Sequence, residues 1–335
     1  MTIKRLFLCL AAALGVVGVF NAFLAVRIHP VQQQIMKRMR ATPKIDILFL
    51  GNSLMQSGLS TESFASAWPD SNATPIAFNA GLGGTYPVEH YLLAHQAYLH
   101  HEPIPCLVYG YFNCELTRPP PFAWADLIGN RAMGYSTEPA MAASLYAPES
   151  MLECWRFQLI GAVPMLREHS QLWKYVEIFR RFLQEAGMPK AKMNQFGRVT
   201  DFRAVALPDL LKFKQDCEKS VQNSSPLIPP VQALLRLAHN QNTRVFVVEM
   251  PVSSAHRDSY YSTPAWQHYR EYLVQRLQAE GATYVVASDW VPDDADFSDL
   301  LHLNQTGSDL FSKKIAHVIA AATLPDQKPR AKTGR

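Results

Sequence analysis

A serine near the start of this 335-residue chain, and a carboxylate and an imidazole near its end, are residue types that together could perform acyl chemistry. Ser53 closes the turn Gly51-Asn52-Ser53, and Asp299 stands three positions before His302 in Asp299-Leu300-Leu301-His302. A serine hydroxyl is a weak nucleophile at neutral pH and needs a base within hydrogen-bond reach. His302 can be that base if a third group fixes its tautomer, and Asp299 is close enough to reach its other ring nitrogen across a tight loop. Taken singly, Ser53 is an ordinary helix cap and the D-x-x-H an ordinary turn. Acyl transfer also needs donors for a developing oxyanion. The backbone N–H groups of Ser53 and Gly84 and the side-chain amide of Asn113 can supply them, although alone Gly84 reads as a hinge and Asn113 as a turn.

These residues gain weight from the elements that carry them. Ile45–Leu50 is a short apolar run of the kind buried on both faces of a parallel sheet, and it breaks at Gly51. Pro75–Ala80 is a second strand, followed by the glycine-rich turn Gly81–Thr85, a helix over Pro87–His100, and a third strand, Cys106–Phe112, that ends at Asn113. The αβ rhythm then stops at Pro119-Pro120-Pro121. From there to about Pro229 the pattern is mainly helical, with apolar stripes in Trp155–Leu166 and Leu172–Leu183. This stretch, about 116–229, is expected to be an insertion lying over the carboxyl edge of the sheet. Its aromatic stripes read first as packing surface. The mixture of Trp155, Phe157, Trp173, Phe179 and Phe182 with Arg156, Lys174, Arg180 and Arg181 leaves a membrane-facing or acyl-chain-binding role open.

The rhythm resumes with a helix over Val231–Asn240, a strand over Arg244–Met250, a helix over Pro264–Glu280 and a strand over Ala282–Val286. The last helix covers Gln305–Ala321, with Asn304 as its N-cap. Such alternation predicts an α/β fold: a three-layer, doubly wound, mostly parallel sheet. In that architecture ligands bind past the carboxyl ends of the strands, where Ser53, Gly84 and Asn113 all fall.

Hydrophobic residues make up 48% of the chain and charged residues 18%, enough apolar material for one large domain. The net charge of +4, much of it in the terminal segments, is too small to argue for nucleic acid. Leu6–Val26 is apolar apart from Asn21 and as long as a bilayer span of about 20 residues requires. Phe23 and Phe20 stand where a cleavable signal would need small residues, so the run reads as an uncleaved anchor. The expected layout is a single-pass transmembrane anchor over residues 1–28, a polar basic stalk over 29–44, the α/β domain over 45–322 and a disordered tail over 323–335. Arg27, Lys37, Arg38 and Arg40 after the span outnumber Lys4 and Arg5 before it, which by itself favours a cytoplasmic body, but large domains translocate largely regardless of such charges. Cys106, Cys114, Cys154 and Cys217 contain no C-x-x-C pair; one or two disulfides and buried free thiols both remain open. His90, His95, His100 and His101 lack the i, i+4 spacing of a helical metal site, and neither metal nor cofactor is expected.

The four strand-end segments resemble the sequence blocks of the SGNH/GDSL hydrolase superfamily. Gly51-Asn52-Ser53-Leu54 is similar to its nucleophile block, with asparagine in place of aspartate. Asn79-Ala80-Gly81-Leu82-Gly83-Gly84 resembles the glycine block, its oxyanion glycine falling at Gly84, with Gly83 beside it. Asp299-Leu300-Leu301-His302 resembles the D-x-x-H block. The asparagine block, usually G-x-N-D, becomes Gly110-Tyr111-Phe112-Asn113-Cys114, with one extra residue and a cysteine where aspartate is common.

The resemblance covers about residues 45–115 and 230–320. It implies an SGNH/flavodoxin-like fold and a serine esterase or O-acyltransferase that works through an acyl-serine. Ser53, Asp299 and His302 would be catalytic, and Ser53, Gly84 and Asn113 the oxyanion hole. Membrane-anchored chains of this layout resemble proteins that modify cell-surface polymers. That analogy implies an acylated carbohydrate or other ester as substrate, a body on the periplasmic side of the cytoplasmic membrane, and a membrane-bound O-acyltransferase as partner. The alternative is a non-catalytic scaffold in such a complex.

Overall fold

The computed structural model describes residues 3–27, 31–70, 74–101, 103–117 and 207–323, together with Leu152, Trp155 and Leu159. Its centre is a five-stranded sheet in the order β2-β1-β3-β4-β5, with every neighbouring pair parallel. The strands are β1 (Ile47–Leu50), β2 (Ala77–Asn79), β3 (Cys106–Tyr111), β4 (Arg244–Glu249) and β5 (Thr283–Val286). All residues of β1 and β3 are buried, as expected of central strands covered on both faces. Register is set by apolar partners: Leu48 pairs with Phe78 on one side and Leu107 on the other.

The helices are α1 (Ile3–Arg27), α2 (Val31–Ala41), α3 (Ser53–Gly58), α4 (Thr61–Ser66), α5 (Pro87–His100), α6 (Leu207–Gln222), α7 (Pro229–Asn240), α8 (Pro264–Ala279) and α9 (Gln305–Thr323). The chain moves outward from β1 to β2, then back across β1 to β3. Right-handed crossovers in opposite directions send their helices to opposite faces. Accordingly α3 and α4 pack with α9, whereas α5 packs with α7 and α2. Phe49 of β1 meets Phe64 of α4 edge-on at 5.3 Å, and Phe64 in turn contacts Trp68 at 5.6 Å. Strand order reverses between β1 and β3, the switch point at which open α/β sheets form their crevice.

Two sequence expectations change, and one question left open closes for the described cysteines. Of the expected stalk, 29–44, the described part does not stand free: Ile35, Met36 and Met39 of α2 are buried in the core, and α2 lies on α5. These residues recur at i and i+4, an apolar stripe hidden in a composition that is polar overall. His101 Nε2 donates to Met39 O at 2.8 Å and Arg40 Nη2 to Gln96 Oε1 at 3.1 Å, which fastens the same contact. The expected insertion also ends early. Cys217, Leu227 and Ile228 are buried, α6 packs on α8, and Ile228 N–H donates to Leu116 O at 2.9 Å, so the chain from α6 onward is part of the body. Residues 118–206, including the Leu172–Leu183 stripe, lie outside the described residues apart from Leu152, Trp155 and Leu159, which are helical and exposed. Lastly, the described cysteines Cys9, Cys106, Cys114 and Cys217 are free thiols, all but Cys9 buried.

The apolar run Leu6–Val26 falls inside the 25-residue helix α1. Among the described residues no helix is long and apolar enough to cross a membrane. Several side chains of α1 lie outside that set. Those within it include Phe7, Leu14, Val16 and Val19, all largely exposed. Of the expected tail, 323–335, Thr323 ends α9 and residues 324–335 lie outside the described residues.

Candidate active site

The turn after β1 is shaped by crowding. Gly51 has φ +153, and a Cβ there would stand 2.6 Å from Gly110 O and 2.9 Å from Met55 Cβ. Glycine therefore lets the end of β1 lie against β3. Asn52 accepts from Leu54 N–H at 2.9 Å and caps α3, so Ser53 opens that helix as its first residue. Ser57 Oγ donates to Ser53 O at 2.9 Å, which further fixes the turn.

His302 arrives from the segment between β5 and α9. Its Nε2 lies 2.8 Å from Ser53 Oγ, and its Nδ1 lies 2.8 Å from both oxygens of Asp299. With Nδ1–H donated to the carboxylate, Nε2 is left to accept the serine proton. Asp299 Oδ1 also accepts the N–H groups of Leu301 and His302, each at 2.9 Å. Burial raises the pKa of this carboxyl, but the His302 hydrogen bond and charge and the two backbone donors outweigh it and hold Asp299 at about 2. Asn304 caps α9 through its Oδ1, which accepts from Gly307 N–H at 3.2 Å, as its position before the last helix predicts.

The oxyanion candidates lie past the ends of the strands on either side of β1. After β2, Asn79 Nδ2 donates to Met55 O and Leu59 O while its Oδ1 accepts Gly81 N–H, locking the glycine turn to α3. Gly83 N–H is occupied by Gln56 Oε1 at 2.8 Å. Gly84, with φ +70, makes no hydrogen bond among the described residues, which distinguishes it from its neighbour. Thr85 donates to Leu82 O at 2.6 Å and meets His90 Nε2 at 2.8 Å, with Tyr109 OH at 3.1 Å from His90 Nδ1. Burial pushes His90 down to about 3, so it is a neutral brace under the turn.

After β3, Asn113 adopts a left-handed backbone (φ +53) and is buried. Its N–H donates to Tyr261 OH at 3.2 Å, and its Oδ1 accepts from His256 Nε2 at 3.3 Å. Burial lowers His256 to about 4, so this ring is neutral at physiological pH. The Nδ2 amide of Asn113 is buried without a partner. A buried amide donor left unpaired costs about 1–3 kcal/mol, which a ligand oxygen would relieve.

No family model matches the chain, and no curated protein matches it. Solved structures are similar at low identity, two of them as follows. One, a Bacteroides fragilis protein provisionally assigned as an acylhydrolase, is 13% identical over 87% of this chain and 96% of its own, with a TM-score of 0.37. The other, a carbohydrate acetylesterase from Sinorhizobium meliloti, is 11% identical over 83% of this chain and 100% of its own, with a TM-score of 0.35. Similarities this distant do not bear on the chemistry of the site, which rests on its own geometry.

Ser53, His302 and Asp299 thus form one hydrogen-bonded chain, with Gly84 and Asn113 on the flanking turns. Sequence reading missed the residues that hold Asn113, namely His256, Tyr261 and Glu115. Tyr261 stacks on Trp266 at 4.2 Å, and Glu115 Oε1 accepts Phe112 N–H at 2.8 Å. A histidine in the run Ser253-Ser254-Ala255-His256, just past a strand end, was the one available signal.

Proposed function

We propose that this chain is an SGNH-type serine esterase acting through an acyl-serine intermediate. The observation that carries this is the Ser53 Oγ–His302 Nε2 contact at 2.8 Å, with His302 Nδ1 on the Asp299 carboxylate. His302 takes the serine proton as Oγ attacks the ester carbonyl. The oxyanion of the tetrahedral intermediate is received by the N–H groups of Ser53 and Gly84 and by Asn113 Nδ2. His302 then returns the proton to the leaving alkoxide, and the acyl group stays on Ser53. Water, deprotonated by His302, releases the acid in a second round of the same steps, while Asp299 stabilises each imidazolium.

The substrate we propose is an O-acylated carbohydrate of a cell-surface polymer, following the family resemblance. A sugar hydroxyl replacing water in the second step would make the enzyme an acyltransferase, working with a membrane-bound O-acyltransferase. We further propose that α1 anchors the chain, with the body outside the cytoplasm. The exposed Phe7, Leu14, Val16 and Val19 support an anchor, since exposed apolar side chains on a helix are at home in lipid. A scaffold would need none of the serine–imidazole–carboxylate pairing.

The test incubates full-length protein in detergent with p-nitrophenyl acetate and an oligosaccharide acceptor. Nitrophenol release that is lost in Ser53→Ala supports the esterase, and acetylated oligosaccharide by mass supports transfer. Release that survives Ser53→Ala would contradict both.

A further inference from the structure

Glu115 ties the turn after β1 to the turn after β3. Its Oε2 accepts from Asn52 Nδ2 at 3.2 Å, and its Oε1 accepts from Phe112 N–H at 2.8 Å. Asn52 precedes Ser53 and Phe112 precedes Asn113, so this half-buried side chain touches the immediate neighbour of the nucleophile and of the amide donor. Asn52 is committed at both ends, because its Oδ1 accepts Leu54 N–H at 2.9 Å as the cap of α3. An aspartate could cap α3 equally well. It would, however, present a carboxylate to Glu115 where the amide presents a donor. The amide at 52 and the carboxyl at 115 are a matched pair. Burial pushes Glu115 up to about 8, against the lowering effect of Phe112 N–H and Asn52.

We infer that Glu115 is a positioning residue: through Asn52 and Phe112 N–H it sets the placement of Ser53 relative to Asn113 Nδ2. The inference rests on the esterase reading. Oxyanion donors act only where they already stand when charge develops, and misplacement by about 1 Å can cost about 10²-fold in rate. Nothing else among the described hydrogen bonds joins Asn52 to the Phe112–Asn113 turn.

A donor–acceptor swap tests this on full-length protein in detergent. Glu115→Gln keeps the shape but has one oxygen for two donors, so its amide must face one of them. Asn52→Asp sets two carboxyl groups together. Each single variant is expected to lower kcat for p-nitrophenyl acetate by about 10- to 100-fold with KM within about threefold, and to slow fluorophosphonate labelling of Ser53 in parallel. The double variant Asn52→Asp/Glu115→Gln restores every hydrogen bond with the roles reversed. It is expected to recover kcat to within about fivefold of the parent, a non-additivity that a general loss of stability would not produce. Thermal unfolding of all four proteins separates misfolding from misplacement, and the double variant is the one that must fold. Single variants with parental kcat would overturn the inference, as would a double variant that is unfolded or as slow as the two single effects combined. If the parent itself neither turns over the ester nor labels at Ser53, the esterase reading falls and takes the positioning role with it. An active parent whose single variants keep its kcat refutes the positioning role alone.

Discussion

Asn113 offers a sharp separation between stability and catalysis. Asn113→Gly keeps the left-handed backbone at φ +53 without strain and removes the side chain. On the stability side, deleting the unpartnered Nδ2 removes a buried donor whose desolvation costs about 1–3 kcal/mol. It also takes the Oδ1 acceptor from His256 Nε2, at a comparable cost. The two terms nearly cancel, and extra backbone freedom in the unfolded chain adds a cost of up to about 1 kcal/mol. The melting temperature is therefore expected to fall by no more than about 2–4 °C. On the kinetic side, losing one oxyanion donor lowers kcat by about 10²–10³-fold, or about 2.7–4 kcal/mol at the transition state. Calorimetry and p-nitrophenyl acetate kinetics on the same preparation give both numbers. Turnover retained within about threefold of the parent would move the oxyanion role elsewhere and refute the reading of the orphan amide.

Other expectations follow from the same contacts. Glu249, fully buried at the end of β4, accepts from Arg270 Nη2 at 2.7 Å and Nε at 2.9 Å and from Tyr284 OH at 2.8 Å. Arg270→Met leaves that carboxylate without its counter-charge and should cost about 3–5 kcal/mol in urea unfolding; a cost below about 1 kcal/mol would show the pair to be dispensable. Asp299, held at about 2 against an ordinary value of 3.8, contributes stability that is present above the ordinary value and lost as pH falls through about 2. Asp299→Asn should therefore flatten the acid limb of the melting profile and lower kcat, and an unchanged acid limb would contradict the assignment. Burial pushes Cys106 up to about 12 and raises Cys217 as well, so Ellman's reagent should reach Cys106, Cys114 and Cys217 only on unfolding. Prompt reaction of any of the three in the folded protein would contradict their burial.

What the sequence revealed was what lies close along the chain. β1 and β3 were legible as unbroken apolar runs, and α5 as a stretch between Pro87 and His100. Ser53 and Asp299-x-x-His302 could be singled out because each sits in a local turn whose chemistry is complete apart from one distant partner. Sequence did not reveal contacts made across the fold. Asn113 and Tyr261 are 148 positions apart and Asn52 and Glu115 are 63 apart, and no local pattern announces either pair. The role of Glu115 was hidden further because it looks like any acidic residue after a strand. The burial of α2 was missed for a different reason: three cations and three glutamines in an 11-residue helix outweigh three buried apolar residues in composition, though not in packing. Glu249 stood in plain view at the end of an apolar strand, but its partner Arg270 comes from the next helix.

The central claim is that Ser53, His302 and Asp299 act as one unit with an acyl group carried on Ser53. It is tested most directly by labelling full-length protein in detergent with a fluorophosphonate and locating the adduct by peptide mass. The expected result is a single adduct on Ser53, abolished by Ser53→Ala and by His302→Ala. The two substitutions combined should lose little more ester turnover than either alone, because members of a triad are strongly non-additive. Ester turnover that persists with no adduct on Ser53 would contradict the account.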